Sequence, residues 1–210
     1  MKYSQNNEET VILDYFDGYV GAFLDIGAND GETLSNSRKL ALIGWQGVCI
    51  EPSMSAYKKL HDLYLKDDNV LTIKLAVGET DGMTVLHDSG EHLGKGDTSL
   101  LSTLVSRETQ KWKGTTFKDQ IVKVARWATV VKEYDLNDFD FITIDAEGMD
   151  IAILHQIDLT NTSLVCVEHN GSQTVQTRIK QYCAKFGLTD ILLVNGENII
   201  CGKGTSFSSI

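Results

Sequence analysis

Four places in the sequence hold side chains whose type and spacing could do chemistry. The first is Asp25-Ile26-Gly27-Ala28-Asn29-Asp30-Gly31. Gly27 and Gly31 let a backbone turn tightly and approach a ligand without Cβ interference. A helix start just beyond would offer free N–H groups to an anion or a carboxylate. The second is Glu51, 24 residues after Gly27. A carboxylate at such a strand end can accept hydrogen bonds from both hydroxyls of a nucleoside ribose. Pro52 follows and biases Glu51 to an extended backbone. The third is Asp145-Ala146-Glu147-Gly148-Met149-Asp150, after the apolar run Phe141-Ile142-Thr143-Ile144. Acids there are badly placed as core residues and well placed for proton transfer, so Asp145 is a candidate general base, with Glu147 third in order after His169. The fourth is Glu168-His169, where His169 stands beside Asp145 as a leading candidate base. Oxygen-rich ligation of a divalent cation by Asp145, Glu168 and His169 is a minor alternative, and no metal ligands are assigned.

These residues need elements that deliver them to one edge. Apolar runs at 22–26, 47–50, 70–77, 141–144 and 164–167 alternate with helical spacing at 32–43, 54–65, 149–156 and 173–186. That alternation implies parallel strands joined by crossover helices, an α/β sheet covered on both faces. Runs 190–194 and 198–201 flank Asn195-Gly196-Glu197, a strong hairpin signal, so the sheet is expected to finish in an antiparallel pair. Residues 83–133 read as an insertion between the third and fourth core strands, with extra strands at 83–87 and 121–131 and a helix at 98–113. There is no internal repeat and no linker, so residues 1–210 are expected to form one domain. Ligands of open α/β sheets sit outside the carboxyl ends of the strands, which would gather Asp25, Glu51, Asp145 and Glu168.

Composition narrows the partner. The 210 residues carry a formal net charge of −10, the wrong balance for a polyanion-binding domain, so nucleic acid is disfavoured. The exception is 107–132, with seven bases against Glu108 and Asp119. Together with Trp112 and Trp127 it could form a lid or an acceptor surface for an anionic or sugar substrate. Cys49, Cys166 and Cys201 sit in apolar runs and no CxxC pair includes Cys183, as in a reduced, cytoplasmic protein. The first ten residues have no apolar signal core, and no run approaches a membrane span.

The set FLDIGANDG, CIEPS, KLAVGETDG and DFITIDAEGMDIAIL resembles the FkbM-type family of methyltransferases that use S-adenosyl-L-methionine (SAM). The most specific piece is IDAEGMD, similar to that family's Ile-Asp-x-Glu-Gly-x-Glu. The run Gly96 to Leu100 also resembles a short Ser-rich motif seen there. The resemblance covers roughly residues 20 to 170. Asp150 stands where the family usually has Glu, and Asp30 where it often has an apolar residue. The resemblance implies a Rossmann-like, mostly parallel seven-stranded sheet with a C-terminal antiparallel hairpin. It implies SAM as the cofactor and O-directed methyl transfer to a sugar or other small hydroxylated acceptor, while the charge and hydropathy above leave neither nucleic acid nor membrane as an expected partner. It further implies that Asp25, Gly27, Asn29 and Gly31 shape the site for the methionine part and that Glu51 binds the ribose. Ala76 and Val77 would border the adenine, Asp81 would reach its amino group, and Asp145 would lie near the reacting methyl. An NAD(P)-dependent oxidoreductase stays open as an alternative, weakened because Asn29 replaces the second glycine of GxGxxG. So does a SAM-binding module without turnover.

Overall fold

A computed structural model describes residues 2–91 and 98–204. Its main sheet has seven strands in the order β3-β2-β1-β7-β8-β10-β9. They are β1 (Ala22–Ile26), β2 (Gln46–Ile50), β3 (Val70–Ile73), β7 (Phe141–Ile144), β8 (Leu164–Glu168), β9 (Asp190–Val194) and β10 (Asn198–Gly202). The first five pair in parallel, and β10 runs antiparallel to both β8 and β9. The chain leaves β1 toward β2 and β3, then returns to the other side of β1 with β7. That reversal opens a crevice at the carboxyl ends of β1 and β7.

Side chains alternate across the sheet with period two, and each face has its own core. On one face, Leu24, Ile26, Val48, Ile50, Ile142, Ile144, Val165 and Val167 pack with Val130, Ile153, Leu154, Ile179 and Cys183. Those last five come from α4 (Trp127–Tyr134), α5 (Asp150–Leu154) and α6 (Gln173–Ala184). On the other face, Phe23, Cys49, Phe141, Cys166 and Ile200 pack with Ile12, Phe16, Leu40, Leu60 and Tyr64. These come from α1 (Glu8–Phe16), α2 (Arg38–Leu42) and α3 (Met54–Tyr64). All four cysteines are free and buried, acting as small apolar side chains.

The insertion differs from its sequence reading. The run 70–77 divides: β3 stays in the main sheet, while β4 (Ala76–Val77) pairs with β6 (Lys118–Ala125), which pairs with β5 (Gly82–Asp88). The expected strand 121–131 ends early because Arg126 turns into α4, its N–H held by Asp81 Oδ1 at 2.9 Å and that of Trp127 by Gln156 Oε1 at 3.0 Å. The expected helix 98–113 is absent apart from a 3₁₀ turn, Glu108–Lys111. Thr103 instead exchanges backbone hydrogen bonds with His87, and Ser99 is left-handed at φ 61°. Ser and Thr in such runs offer the backbone alternatives to a helix. The expected helix 32–43 shrinks to α2. Leu34 has φ 58°, and the Asp30 carboxylate takes the N–H groups of Glu32 and Thr33.

Candidate active site

Strand register sets the site. Ile26 pairs with Ile50 and with Ile144, and Ile144 with Val167. The next residues, Gly27, Glu51, Asp145 and Glu168, therefore stand side by side at the carboxyl edge of the sheet. Period two then assigns faces. Asp25 follows Phe23, Glu51 follows Cys49, Asp145 follows Phe141 and Thr143, and Glu168 follows Leu164 and Cys166. All four carboxylates thus continue the α1–α3 face, and all four line a cleft of about 240 Å³.

Gly27 makes the turn at β1 possible. Its φ is +87°, and a Cβ there would lie 1.7 Å from the carbonyl oxygen of Asp145. Its N–H and that of Ala28 both reach Ile50 O, while Asp145 N–H reaches Ile26 O at 2.9 Å. Asn29, left-handed at φ 49°, donates its N–H to Glu51 Oε2 at 3.0 Å and its side-chain amide to Thr98 O at 2.6 Å. Ser53 N–H reaches Glu51 Oε1 at 2.7 Å. Each carboxylate oxygen of Glu51 is thereby fixed by one N–H and retains a lone pair. Burial pushes the Glu51 carboxyl up to about 8, against these two hydrogen bonds and with a further rise from Asp88 and Asp25. Asp25 is raised by burial to about 6, opposed by the Ser37 hydroxyl at 2.5 Å.

Beside Glu51 the cleft turns apolar, walled by Ile50, Leu75, Ala76, Val77, Leu86 and Leu101. At its far end the loop after β7 is drawn tight. Glu147 has φ 44° and Gly148 has φ 97°, and the Asp150 carboxylate takes the N–H groups of Ala146 at 2.7 Å and Gly148 at 3.0 Å. Asp145 is exposed to the cleft and stands among acids. Burial, then Glu147 and Asp150, push its carboxyl well up. Glu147 is raised to about 8 by burial and then Asp150, with Lys111 opposing. Glu168 is raised by burial and then by Asp145.

Most of the expected residues meet here: Asp25, Gly27, Asn29, Glu51, Ala76, Val77, Asp145 and Glu147 all line the cleft. Three do not. Gly31 lies behind it, where a Cβ would come within 2.7 Å of Leu60 Cδ1, so it seats the loop on α3. Asp81 is drawn away by Arg126, which binds it through the backbone and the guanidinium. His169 falls on the opposite side of the strand from Glu168. It is buried, its Nδ1 accepting Gly171 N–H at 3.0 Å, and it sits against Gln176. The divalent-ligand alternative changes accordingly: the side chain beside Asp145 and Glu168 is Asp150, not His169.

The basic stretch does not form one acceptor face. Arg107 and Lys111 are bound to Glu108, Lys123 to Glu133 and Arg126 to Asp81. Trp112 lines the cleft, whereas Trp127 is buried against Phe139. Ser99 and Leu100 also line it, while Gly96 and Asp97 lie outside the described residues. Sequence reasoning missed Asn170 and Glu197 in the lining. The turn carbonyl of Glu197 takes the N–H groups of His169 and Asn170. The Asn-Gly signal marked that turn, but only the antiparallel seat of β10 beside β8 brings it to the cleft.

The family domain described as "Methyltransferase FkbM domain" matches residues 25–187. The chain belongs to the FkbM methyltransferase family. Its fold is shared with a crystal structure of methyltransferase FkbM from Methylobacillus flagellatus KT, at TM-score 0.55 and 12% identity, over 87% of this chain and 43% of that one. This chain thus spans less than half the length of that FkbM protein. A precorrin-6y C5,15-methyltransferase from Geobacter metallireducens GS-15 matches at TM-score 0.50 and 13% identity, over 97% and 91%. No curated protein matches the chain. Among the described residues, no helix is long and apolar enough to cross a membrane.

Proposed function

We propose that this FkbM chain is a SAM-dependent methyltransferase that methylates a hydroxyl oxygen of a sugar or other small acceptor. The observation that carries the reading is Glu51. It is a buried carboxylate held by two backbone N–H groups, each oxygen keeping a lone pair, between an apolar slot and a row of acids. That order suits SAM: a flat base against Ala76 and Val77, a vicinal diol on Glu51, and a cationic end toward Asp25 and Asp145. The absent second glycine disfavours a dinucleotide. Asn29 fills that position, its amide already bound to Thr98 O.

When bound, SAM supplies an electrophilic methyl group on a positively charged sulfur. The chain must align the acceptor oxygen with it and exclude water. Leu100, Leu101, Leu104 and Trp112, all in the cleft lining, are placed to do so. Glu147, with its carboxyl raised to about 8, matches the demand for a base poised near neutrality. It would take the hydroxyl proton, with Asp145 next to it as the second carboxylate. The test is calorimetry with SAM, together with labelled-methyl transfer to a panel of hydroxylated acceptors. SAM binding that Glu51→Ala weakens, with transfer to an oxygen, supports the reading. No binding at millimolar SAM, or unchanged affinity in Glu51→Ala, defeats it.

A further inference from the structure

The carboxylates of Asp145, Asp150 and Glu168 each offer an oxygen within 4.8 Å of the others'. Three acids so close repel one another unless a cation or protons intervene. Among the described residues, no lysine or arginine forms an ion pair with any of them. A second observation is independent of their proximity. Glu168 is 7% exposed, and its Oε2 is buried with no hydrogen-bond partner. A buried oxygen left unpaired costs free energy, and with its carboxyls ionised the cluster supplies only further acceptors. The sulfonium of SAM would not relieve it, because a trialkyl sulfonium has no N–H or O–H to donate, and the single charge of the methionine ammonium would not balance three ionised carboxylates. Asp150, by contrast, is fixed by the N–H groups of Ala146 and Gly148, and each of its oxygens keeps a lone pair. Asp145 opens to the cleft and supplies an entry path.

We propose that Asp145, Asp150 and Glu168 form a binding site for a divalent cation of the Mg²⁺ or Mn²⁺ class at the acceptor end of the cleft. All-oxygen ligation selects hard cations of this kind. Resting on the methyltransferase reading, the role of the cation is to hold the acceptor oxygen and lower its pKa, with Glu147 receiving the proton.

The experiment titrates Mn²⁺ into the purified chain, following free Mn²⁺ by electron paramagnetic resonance and the melting temperature by circular dichroism. The variants are Glu168→Gln, Asp145→Asn and, as a surface control, Glu79→Gln. One saturable Mn²⁺ per chain and a melting temperature raised by Mn²⁺ are expected. Glu168→Gln should weaken binding at least about tenfold, the loss typical even for a group that only orients a metal ligand. Glu79→Gln should bind as wild type. If Glu168→Gln does not fold, Asp145→Asn, altered at the cleft surface, carries the same expectation. No saturable binding, or equal affinity in wild type and the folded site variant, overturns the site. SAM calorimetry in chelator is read separately: SAM binding without Mn²⁺ binding removes this site and leaves the methyltransferase reading, and the converse removes that reading instead.

Discussion

Glu51→Gln changes one atom, and its consequences can be worked out from the hydrogen bonds around it. In the free protein the Glu51 carboxyl is raised to about 8 by burial, so at pH 7 about nine-tenths of molecules carry a proton there. Two ribose hydroxyls donating to the carboxylate favour the ionised form, so binding of SAM expels that proton. Glu51 alone should then make affinity rise about 50-fold between pH 6 and pH 8 and level off above. Glutamine cannot reproduce the arrangement. Both carboxylate oxygens accept a backbone N–H, from Ser53 and Asn29, and the amide –NH₂ would point its donors at one of them. The loss of a charge-assisted hydrogen bond, about 1.5–3 kcal/mol, predicts affinity roughly 10–150-fold weaker above pH 8. Toward pH 6 the two proteins should converge, because protonated Glu51 and Gln are nearly equivalent. The assay is isothermal titration calorimetry from pH 6 to 8.5 in two buffers of different ionisation enthalpy, which counts protons released. Asp25 and the other cleft acids also respond to a cationic ligand, so the difference between the proteins is the quantity that matters. Equal affinity and equal proton release in both would refute the assignment of Glu51 to the ribose.

Stability should fall as pH rises. Glu51 and Glu147 titrate near 8 in the fold against an ordinary 4.5, so each favours the folded state fully below pH 4.5 and loses that contribution as pH climbs toward 8. Melting temperature should therefore decline from pH 5 to 8 and decline less in Glu147→Gln; a rising profile would contradict the burial of these acids. Gly27→Ala forces a Cβ to 1.7 Å from Asp145 O at φ +87° and should cost at least about 3 kcal/mol in urea unfolding, whereas a loss under roughly 0.5 kcal/mol would contradict the close approach of the β1 and β7 loops at Gly27. His169→Ala removes a buried side chain that accepts Gly171 N–H and should cost about 0.5–3 kcal/mol with kcat unchanged; loss of kcat with stability intact would return His169 to the chemistry. Glu147→Gln should lower kcat by about 10²-fold or more and leave SAM affinity near wild type, and a variant with normal kcat would transfer the role of base elsewhere.

Much of the site was legible because it follows strand ends. An acid after an apolar run, at Asp25, Glu51, Asp145 and Glu168, is a local signal, and parallel register turns four local signals into one edge. The Asn195-Gly196 turn likewise announced the β9–β10 hairpin. His169 shares its strand end with Glu168 but not its face, because period two puts the two side chains on opposite sides. Asp81 could not be placed from sequence, because its direction is set by Arg126, 45 residues away. Residues 98–113 misled because Ser99, Ser102 and Thr103 spend their hydroxyls on Asp88, Ser89 N–H and Glu147 O, contacts that no periodicity records. α1 gives little sequence signal, because Glu8 and Glu9 in its first turn are residues ordinarily found in solvent. Both are buried, and the Glu8 carboxylate accepts the Asn195 and Asn198 side-chain amides from the distant hairpin.

The most direct measurement is a crystal structure grown with saturating S-adenosylhomocysteine, the demethylated product of SAM. The expected density runs along the cleft, with both ribose hydroxyls within hydrogen-bond distance of the two Glu51 oxygens. The base should lie against Ala76 and Val77, and the sulfur should face Asp145. Density with the ribose away from Glu51, or a cleft free of ligand at saturation, would contradict the assignment of this edge to SAM.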